Sequence, residues 1–199
     1  MHYEFQTGVK STRLFGLRGL LILGGLLLAI LLYAGLDYGA PHLFALSAGR
    51  SQAALDQLVK TRQPDGTDQL IIPTAGVNVE VSQNFMSGSA QLKPGADGGL
   101  VVSAPRFNVG LTPGETVAGS PLYNLTKAKT GDYVYLDDDG ERLVYQVRQI
   151  QNDVAASGLG GDLLVYSYND DGDAAASALI CQKVGQMVWS GGSATIVAD

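Results

Sequence analysis

Cysteine, histidine and positive charge are all scarce in this sequence of 199 residues, which has one Cys, two His and 13 Lys and Arg residues together. A single cysteine excludes a disulfide within the chain, and without a Cys/His cluster no zinc or other soft-ligand metal site is expected. The formal net charge of -6 argues against nucleic acid as a partner, because phosphate binding requires clustered Lys and Arg. We predict no bound cofactor.

Charge is also absent from a long stretch near the N-terminus. Residues 19–36 carry no charged side chain and are almost all Leu, Ile, Ala or Gly, with basic residues before them and Asp37 after them. This length and charge bias are typical of a helix that crosses a bilayer with its N-terminus inside. The sequence therefore predicts a cytoplasmic N-terminus over residues 1–13, a transmembrane helix over 14–36, and a single-pass cell-membrane protein with residues 37–199 outside. A cleaved signal peptide is the alternative, although its apolar core is usually shorter.

A linker is predicted over residues 37–67. Within it, residues 51–62 have the pattern of a short helix, because a serine at the start is a suitable N-cap and Leu55 and Val59 recur on one helical face. A Pro-Asp-Gly sequence at 64–66 ends the helix. We expect this helix to pack on the domain that follows and to have no role beyond that of a spacer.

Beyond residue 67 the pattern is that of many short strands. Apolar and polar residues alternate with period two, as in 77–81, and turn sequences rich in the chain's 26 Gly separate the runs. The Asp-Asp-Asp-Gly sequence at 137–140 lies between two alternating segments and predicts a hairpin. The spacing predicts a mostly β domain over residues 68–199, a closed or nearly closed β-barrel with short helices. The predicted strands are 69–73, 77–81, 98–103, 133–136, 143–147, 163–166, 177–181 and 194–197.

Three segments of this domain, in this order, resemble sortases, the membrane-anchored cysteine transpeptidases of bacterial surfaces. Residues 70–81 are similar to the family's opening strand pair. Residues 120–136 contain Asn-Leu-Thr-Lys-Ala-Lys-Thr-Gly-Asp, which is similar to the family's Asn-Leu-x-Lys-Leu-Lys-x-Gly-Asp, and Ala-Leu-Ile-Cys at 178–181 stands where the family has Thr-Leu-x-Thr-Cys. The resemblance implies a sortase-like closed barrel, cell-surface proteins or sorting-signal peptides as partners, and acyl transfer through a thioester on Cys181.

The resemblance also implies two further catalytic groups, and the sequence has neither in the matching place. The family's histidine follows a buried strand where this chain has Pro105, and its arginine begins the final strand, where no Arg occurs here. The two histidines, His2 and His42, are predicted in the cytoplasm and beside the membrane, out of reach of Cys181. Acyl transfer needs an imidazole to move the proton and a cationic donor to hold the oxyanion, and the loss of each typically costs about a hundredfold or more in rate.

Two functions of the barrel are therefore open. One is a degenerate, non-catalytic sortase-fold protein of the cell surface that retains a binding or scaffolding role, and we favour it. The other is an active, divergent transpeptidase that joins a sorting-signal protein to an amine acceptor, with Lys183 lowering the pKa of Cys181 and Arg106 holding the oxyanion. Both basic residues are otherwise surface charges, so enzymatic activity stays undecided. A third class, a structural barrel unrelated to sortases, is favoured if the strand order does not place Cys181 beside the strand that ends at Ala104.

Two acidic turns and the single tryptophan complete the candidate features. Residues 137–141 and 169–173 are the kind of loop in which calcium is bound, but neither has the spacing of a complete calcium loop. A hairpin turn explains the first and a connection between strands the second, and calcium at either loop stays the lesser alternative. Trp189 lies in the connection after Cys181. It either lines a substrate groove or caps the barrel, and the sequence leaves both possibilities open.

Overall fold

The computed structural model describes residues 13–84, 88–95, 97–108, 115, 119–155, 158–169 and 174–198. They divide into two compact units at His42/Leu43. The first unit contains the beginning of a helix, α1, which runs without interruption over Arg13–Thr61. The second unit contains the end of α1 and all the strands. Apart from Arg13, the predicted cytoplasmic segment 1–13 lies outside the described residues.

The prediction of a membrane-spanning helix is wrong. In the part of the chain that the structure describes, no helix combines the length and the apolar character needed to cross a membrane. The prediction treats the apolar run 14–36 as an element of its own, whereas these residues belong to one helix of 49 residues that continues through Asp37 and Pro41 to Thr61. The predicted location, a cell-membrane protein with a cytoplasmic N-terminus and an extracellular domain, depends on that helix and is corrected with it.

The second unit is a β-barrel. Its strands occur in the order β1 (Gln69–Ile72), β2 (Val77–Ser82), β3 (Ala90–Pro94), β4 (Leu100–Pro105), β5 (Tyr133–Asp138), β6 (Glu141–Ala155), β7 (Leu163–Tyr168), β8 (Ala174–Ser190) and β9 (Ser193–Val197). Two short 3-10 turns, Pro73–Ala75 and Leu125–Lys127, lie between strands.

Eight of these strands close into a ring. The order around it is β6-β5-β1-β2-β3-β4-β7-β8, and pairing between β6 and β8 joins the two ends. The β2–β3 and β4–β7 pairs are parallel and the others are antiparallel. β9 pairs with the last residues of β8, outside the ring. The predicted mostly β fold with a closed barrel is confirmed.

Local sequence accounts for much of the sheet. β2 alternates buried and exposed residues from Val77 to Val81, so one face of the strand points into the barrel. β5 and β6 form the predicted hairpin, because Asp139 and Gly140 both have positive φ, 50° and 82°, as a two-residue turn between twisted strands requires. The first acidic turn is thus explained by hairpin geometry. In the second, residues 170–173 lie outside the described part of the chain.

Residues 119–131 contribute side chains to the core of the barrel. Leu122 and Leu125 are fully buried in the main core, while Lys129 is exposed. A turn around Gly131, with φ of 95°, leads into β5. The core that these residues join is formed by inward-facing side chains of all eight ring strands, among them Leu70, Ile72, Val79, Leu92, Val102, Val134, Leu136, Val147, Leu163, Val165, Leu179 and Cys181.

A second, smaller core lies where the end of α1 packs on the outer face of the barrel. Leu55 and Val59 of α1 contact Ile71, Val144 and Met187 of three strands, and Leu55 and Val59 are only 7% and 2% exposed. The predicted packing of residues 51–62 on the domain is confirmed, although these residues are the last turns of α1 and do not form a separate helix. Burial of two branched side chains contributes on the order of 3–6 kcal/mol to the packing of α1 on the barrel.

Candidate functional site

Cys181 lies inside the barrel. Its strand β8 pairs with β6 and β7, and Cys181 stands opposite Val147 on one side and Leu163 on the other. The side chain is 1% exposed and belongs to the main hydrophobic core. Burial raises the pKa of the thiol from its ordinary 9.0 to about 12, because the apolar surroundings cannot solvate a thiolate. The sulfur is therefore protonated at neutral pH.

Among the described residues, burial is the cause of the raised pKa of Cys181. The barrel unit also has no histidine in its sequence, since His2 and His42 both precede residue 43. Of these, His2 lies outside the described residues and His42 falls in the first unit. Within the barrel unit, therefore, no imidazole is available to activate the thiol.

The strand order keeps Cys181 and Pro105 apart. Pro105 ends β4 and stands opposite Tyr168 of β7, whereas Cys181 stands opposite Leu163, which in turn pairs with Leu100 at the start of β4. The two positions are thus at opposite ends of β4, about 17 Å apart along the strand direction at ~3.3 Å per residue. β7 also lies between β4 and β8. The structure does not bring together the two residues that the resemblance pairs. Cys181 is not beside the strand that ends at Ala104, which is the arrangement that the sequence analysis connects with a structural barrel unrelated to sortases.

Lys183 and Arg106 are likewise at different ends of the barrel. The backbone N–H of Lys183 donates to Asp162 Oδ2 at 2.8 Å. Its side chain lines a cavity of about 430 Å³ beside the starts of β4 and β7, together with Asp97, Gly98, Gly99, Leu100, Tyr145, Gly161 and Asp162. Arg106 follows β4 directly, and its N–H donates to the carbonyl of Tyr168 at 2.7 Å. An oxyanion at Cys181 would be out of reach of Arg106.

Aromatic side chains gather where β4 and β7 end. Tyr166 and Tyr168 lie with ring centroids 6.3 Å apart, and Phe107, just after β4, lies 5.8 Å from Tyr123. All four rings are partly exposed. Between them, Ser167 is fully buried opposite Ala104. We refer to this region as the aromatic end of the barrel, and among its described residues there is no acid–base pair for acyl transfer.

The sequence analysis missed this surface because it depends on a parallel pairing. It identifies 163–166 as a strand but gives no partner, and β4 and β7 are separated by more than 50 residues of chain. Parallel strands need long crossovers, so no local turn signal marks the pair.

The sequence analysis also missed a charged cluster. Arg142 stands opposite Asp137 across the β5–β6 hairpin, and opposite charges at paired positions are a signal that the sequence does contain.

Arg142 is buried where α1 meets the barrel. It is 1% exposed, and its Nε and Nη2 donate to the two carboxylate oxygens of Asp137, each at 2.6 Å. Its Nη1 donates to the carbonyls of Val59 and Arg62, at 2.8 and 3.0 Å, at the end of α1. The guanidinium also lies 5.5 Å from the centre of the Trp189 ring. Trp189 therefore packs beside α1 on the outer face of the barrel, away from the core that holds Cys181.

Among the described residues, no three His, Cys, Asp or Glu side chains come together in a group that could hold a metal ion. Asp137, in the first acidic turn, is paired with Arg142 instead.

Comparison with known proteins finds similarity only at the level of structure. No family model and no curated protein matches the sequence. The chain is similar to sortase A from Corynebacterium diphtheriae, with 14% identity, a TM-score of 0.46, and coverage of 61% of this chain and 62% of that one. Sortase E1 from Streptomyces coelicolor matches with 17% identity, a TM-score of 0.44, and coverage of 61% and 89%. Sortase C from Streptococcus pneumoniae matches with 21% identity, a TM-score of 0.42, and coverage of 62% and 66%. The chain thus spans less than two thirds of the length of two of these three sortases, and the similarity is one of fold.

Proposed function

We propose that this chain is a divergent sortase-fold protein that does not perform transpeptidation and keeps a binding or scaffolding role. Three sequence segments support the relation to sortases, and a closed barrel of mostly antiparallel strands is consistent with it. The strand order is the one observation that favours an unrelated barrel, because it does not place Cys181 beside the strand that ends at Ala104. The observation that carries the proposal is the position of the only cysteine. Cys181 is a core residue at 1% exposure, in a barrel unit whose sequence has no histidine.

The magnitude of the pKa effect supports an inactive thiol. With a pKa of about 12, only about one molecule in 10⁵ carries a thiolate at neutral pH, against a few per cent for an ordinary cysteine. Attack on a peptide carbonyl also requires contact, and the Cys181 side chain is only 1% exposed. An active cysteine transpeptidase would need both a different environment for Cys181 and an unidentified proton donor.

For the retained role we propose the aromatic end of the barrel as the binding surface. Partly exposed aromatic rings and an arginine are the side chains most enriched at binding sites, and Tyr168, Tyr123, Phe107 and Arg106 lie around the ends of β4 and β7. The partner that we propose is an extended peptide segment of the sorting-signal kind, bound without being cleaved.

The test is to incubate the purified full chain with a set of sorting-signal peptides and an amine acceptor. Intact-protein mass spectrometry then looks for a thioester, and fluorescence anisotropy of labelled peptides measures binding. We expect binding without any adduct, unchanged in Cys181→Ala and weakened in Tyr168→Ala. Tyr133→Ala is the matched control, since Tyr133 is an exposed tyrosine of β5, a strand that does not pair with β4 or β7. An acyl adduct on Cys181 would refute the inactive assignment, and equal loss of binding in both tyrosine variants would refute the surface.

A further inference from the structure

A cavity on the outer face of the barrel has no part in the proposed function. It has a volume of about 440 Å³ and is lined by Thr61, Arg62, Gln63, Trp189, Gly191 and Gly192. The first three residues end α1 and begin the chain after it, and the last three belong to β8 and the β8–β9 turn. This volume lies within the usual range for small-ligand sites.

An aromatic wall is the first element of this cavity. Trp189 is partly buried, and its ring is held by the Arg142 guanidinium at 5.5 Å from the ring centre. Arg142 is itself fixed by Asp137 and by two carbonyls of α1. Because several hydrogen bonds hold the Arg142 guanidinium that contacts the Trp189 ring, the ring is positioned before any ligand binds. This preorganisation lowers the entropic cost of binding.

The rim of the cavity carries groups that both donate and accept hydrogen bonds. Arg62 is paired with Asp65, which presents a cation and a carboxylate side by side, and both side chains are about half exposed. Gln63 is exposed and offers an amide with donors and an acceptor. The Thr61 hydroxyl donates to the carbonyl of Gln57 and keeps its acceptor capacity. The local charge of the Arg62–Asp65 pair sums to zero.

A further observation favours a ligand here. Gly191 and Gly192 adopt φ of 60° and 82°, and a Cβ at either would meet nothing within 4 Å, so the β8–β9 turn leaves the cavity open. The indole N–H of Trp189 is shielded from solvent, so a ligand would contact the ring of Trp189 and not its N–H.

We propose that this cavity binds a neutral saccharide, with one sugar ring against Trp189 and its hydroxyls hydrogen-bonded to Gln63 and the Arg62–Asp65 pair. A sugar ring has an apolar C–H face that suits an indole, and its hydroxyls need neighbouring donors and acceptors. A nucleotide or another polyanion is disfavoured, because the nearby arginine is neutralised and the chain has a net charge of -6. The proposal does not depend on the function of the aromatic end of the barrel.

Trp189 makes the experiment simple, since it is the only tryptophan in the chain. Its emission, excited selectively, is measured while the full chain is titrated with maltotriose, cellotriose and chitotriose in turn. At least one of these neutral trisaccharides is expected to change the emission saturably. The same sugar should give saturation-transfer NMR signals from the protons of the ring that lies against Trp189.

Two variants and a control locate the binding. Gln63→Ala removes an exposed amide and is expected to weaken binding about fivefold, the effect of one net hydrogen bond. Gly192→Asn introduces a residue type that tolerates positive φ and places its side chain over the cavity. This variant should weaken binding more than Gln63→Ala does. Gln52→Ala, another exposed glutamine of α1, should leave binding unchanged. The proposal is overturned if none of the three sugars produces a signal, or if binding is the same in Gln63→Ala, Gly192→Asn and the native chain.

Discussion

Replacing Arg142 with methionine removes the buried cation that ties the end of α1 to the barrel. Methionine has a similar length and no charge, so the change deletes both hydrogen bonds to Asp137 and both to the α1 carbonyls while preserving much of the volume. Asp137 is 3% exposed and is left as a buried carboxylate without a cation. Loss of one partner of a buried ion pair typically costs about 3–5 kcal/mol, which is a large part of the roughly 5–15 kcal/mol that stabilises a domain.

The assay is urea unfolding followed by far-UV circular dichroism. The double variant Arg142→Met/Asp137→Leu removes the stranded carboxylate as well, so we expect it to recover most of the loss. The free energy of unfolding of the double variant should remain about 1–3 kcal/mol below that of the native chain, because the carbonyls of Val59 and Arg62 lose their donor. Arg148→Met is the control, since Arg148 lies on the same strand but is exposed, and it should cost less than about 1 kcal/mol. The reasoning is refuted if Arg142→Met costs no more than Arg148→Met, or if the double variant is as unstable as the single one.

Three other predictions concern the core and its glycines. Cys181→Ser should destabilise the chain more than Cys181→Ala, since a buried hydroxyl without a partner adds about 1–3 kcal/mol to the loss of packing, and urea unfolding of the two variants checks the order. The folded-state pKa of Cys181, about 12, lies above the ordinary 9.0, so the native chain retains a proton that the unfolded chain releases. Stability should therefore fall from about pH 9 towards 12 by up to ~1.4 kcal/mol per pH unit, and the part due to this thiol should be absent in Cys181→Ala. Gly99→Ala should prevent or severely weaken folding, because its Cβ would lie 2.1 Å from the carbonyl oxygen of Gly161, whereas a Cβ at Gly98 would meet nothing within 4 Å. Gly98→Ala should then cost only about 1 kcal/mol for its φ of 82°, and thermal unfolding of the two variants separates them.

Local features of the structure could be predicted from the sequence, and features that depend on distant pairing could not. The alternation at Val77–Ser82 and the Asp139-Gly140 turn determine a strand and a hairpin through neighbouring residues alone. By contrast, the parallel pairing of β4 with β7 joins residues more than 50 positions apart and has no local signature.

The candidate site shows the same division. The sequence places Cys181 at the end of an apolar run. The strand β8 continues beyond this residue to Ser190, so Cys181 lies within the strand and its side chain faces the core. The position of Cys181 relative to Pro105 depends on strand order, which a motif cannot give. The burial of Arg142 depends on α1 packing over it. The sequence analysis divides α1 into two elements, because the apolar run and the capped helix each have the pattern of a complete element when considered alone.

The reactivity of the Cys181 thiol tests the central claim most directly. The measurement is the rate of alkylation by iodoacetamide in the native full chain as a function of pH, with the same chain in urea as the reference for an accessible thiol. With a pKa of about 12 and 1% exposure, the native thiol should react orders of magnitude more slowly than the unfolded one at neutral pH. Rapid alkylation of the native chain at neutral pH, with an apparent pKa below the ordinary 9.0, would contradict the claim that this sulfur is a core residue and not a nucleophile.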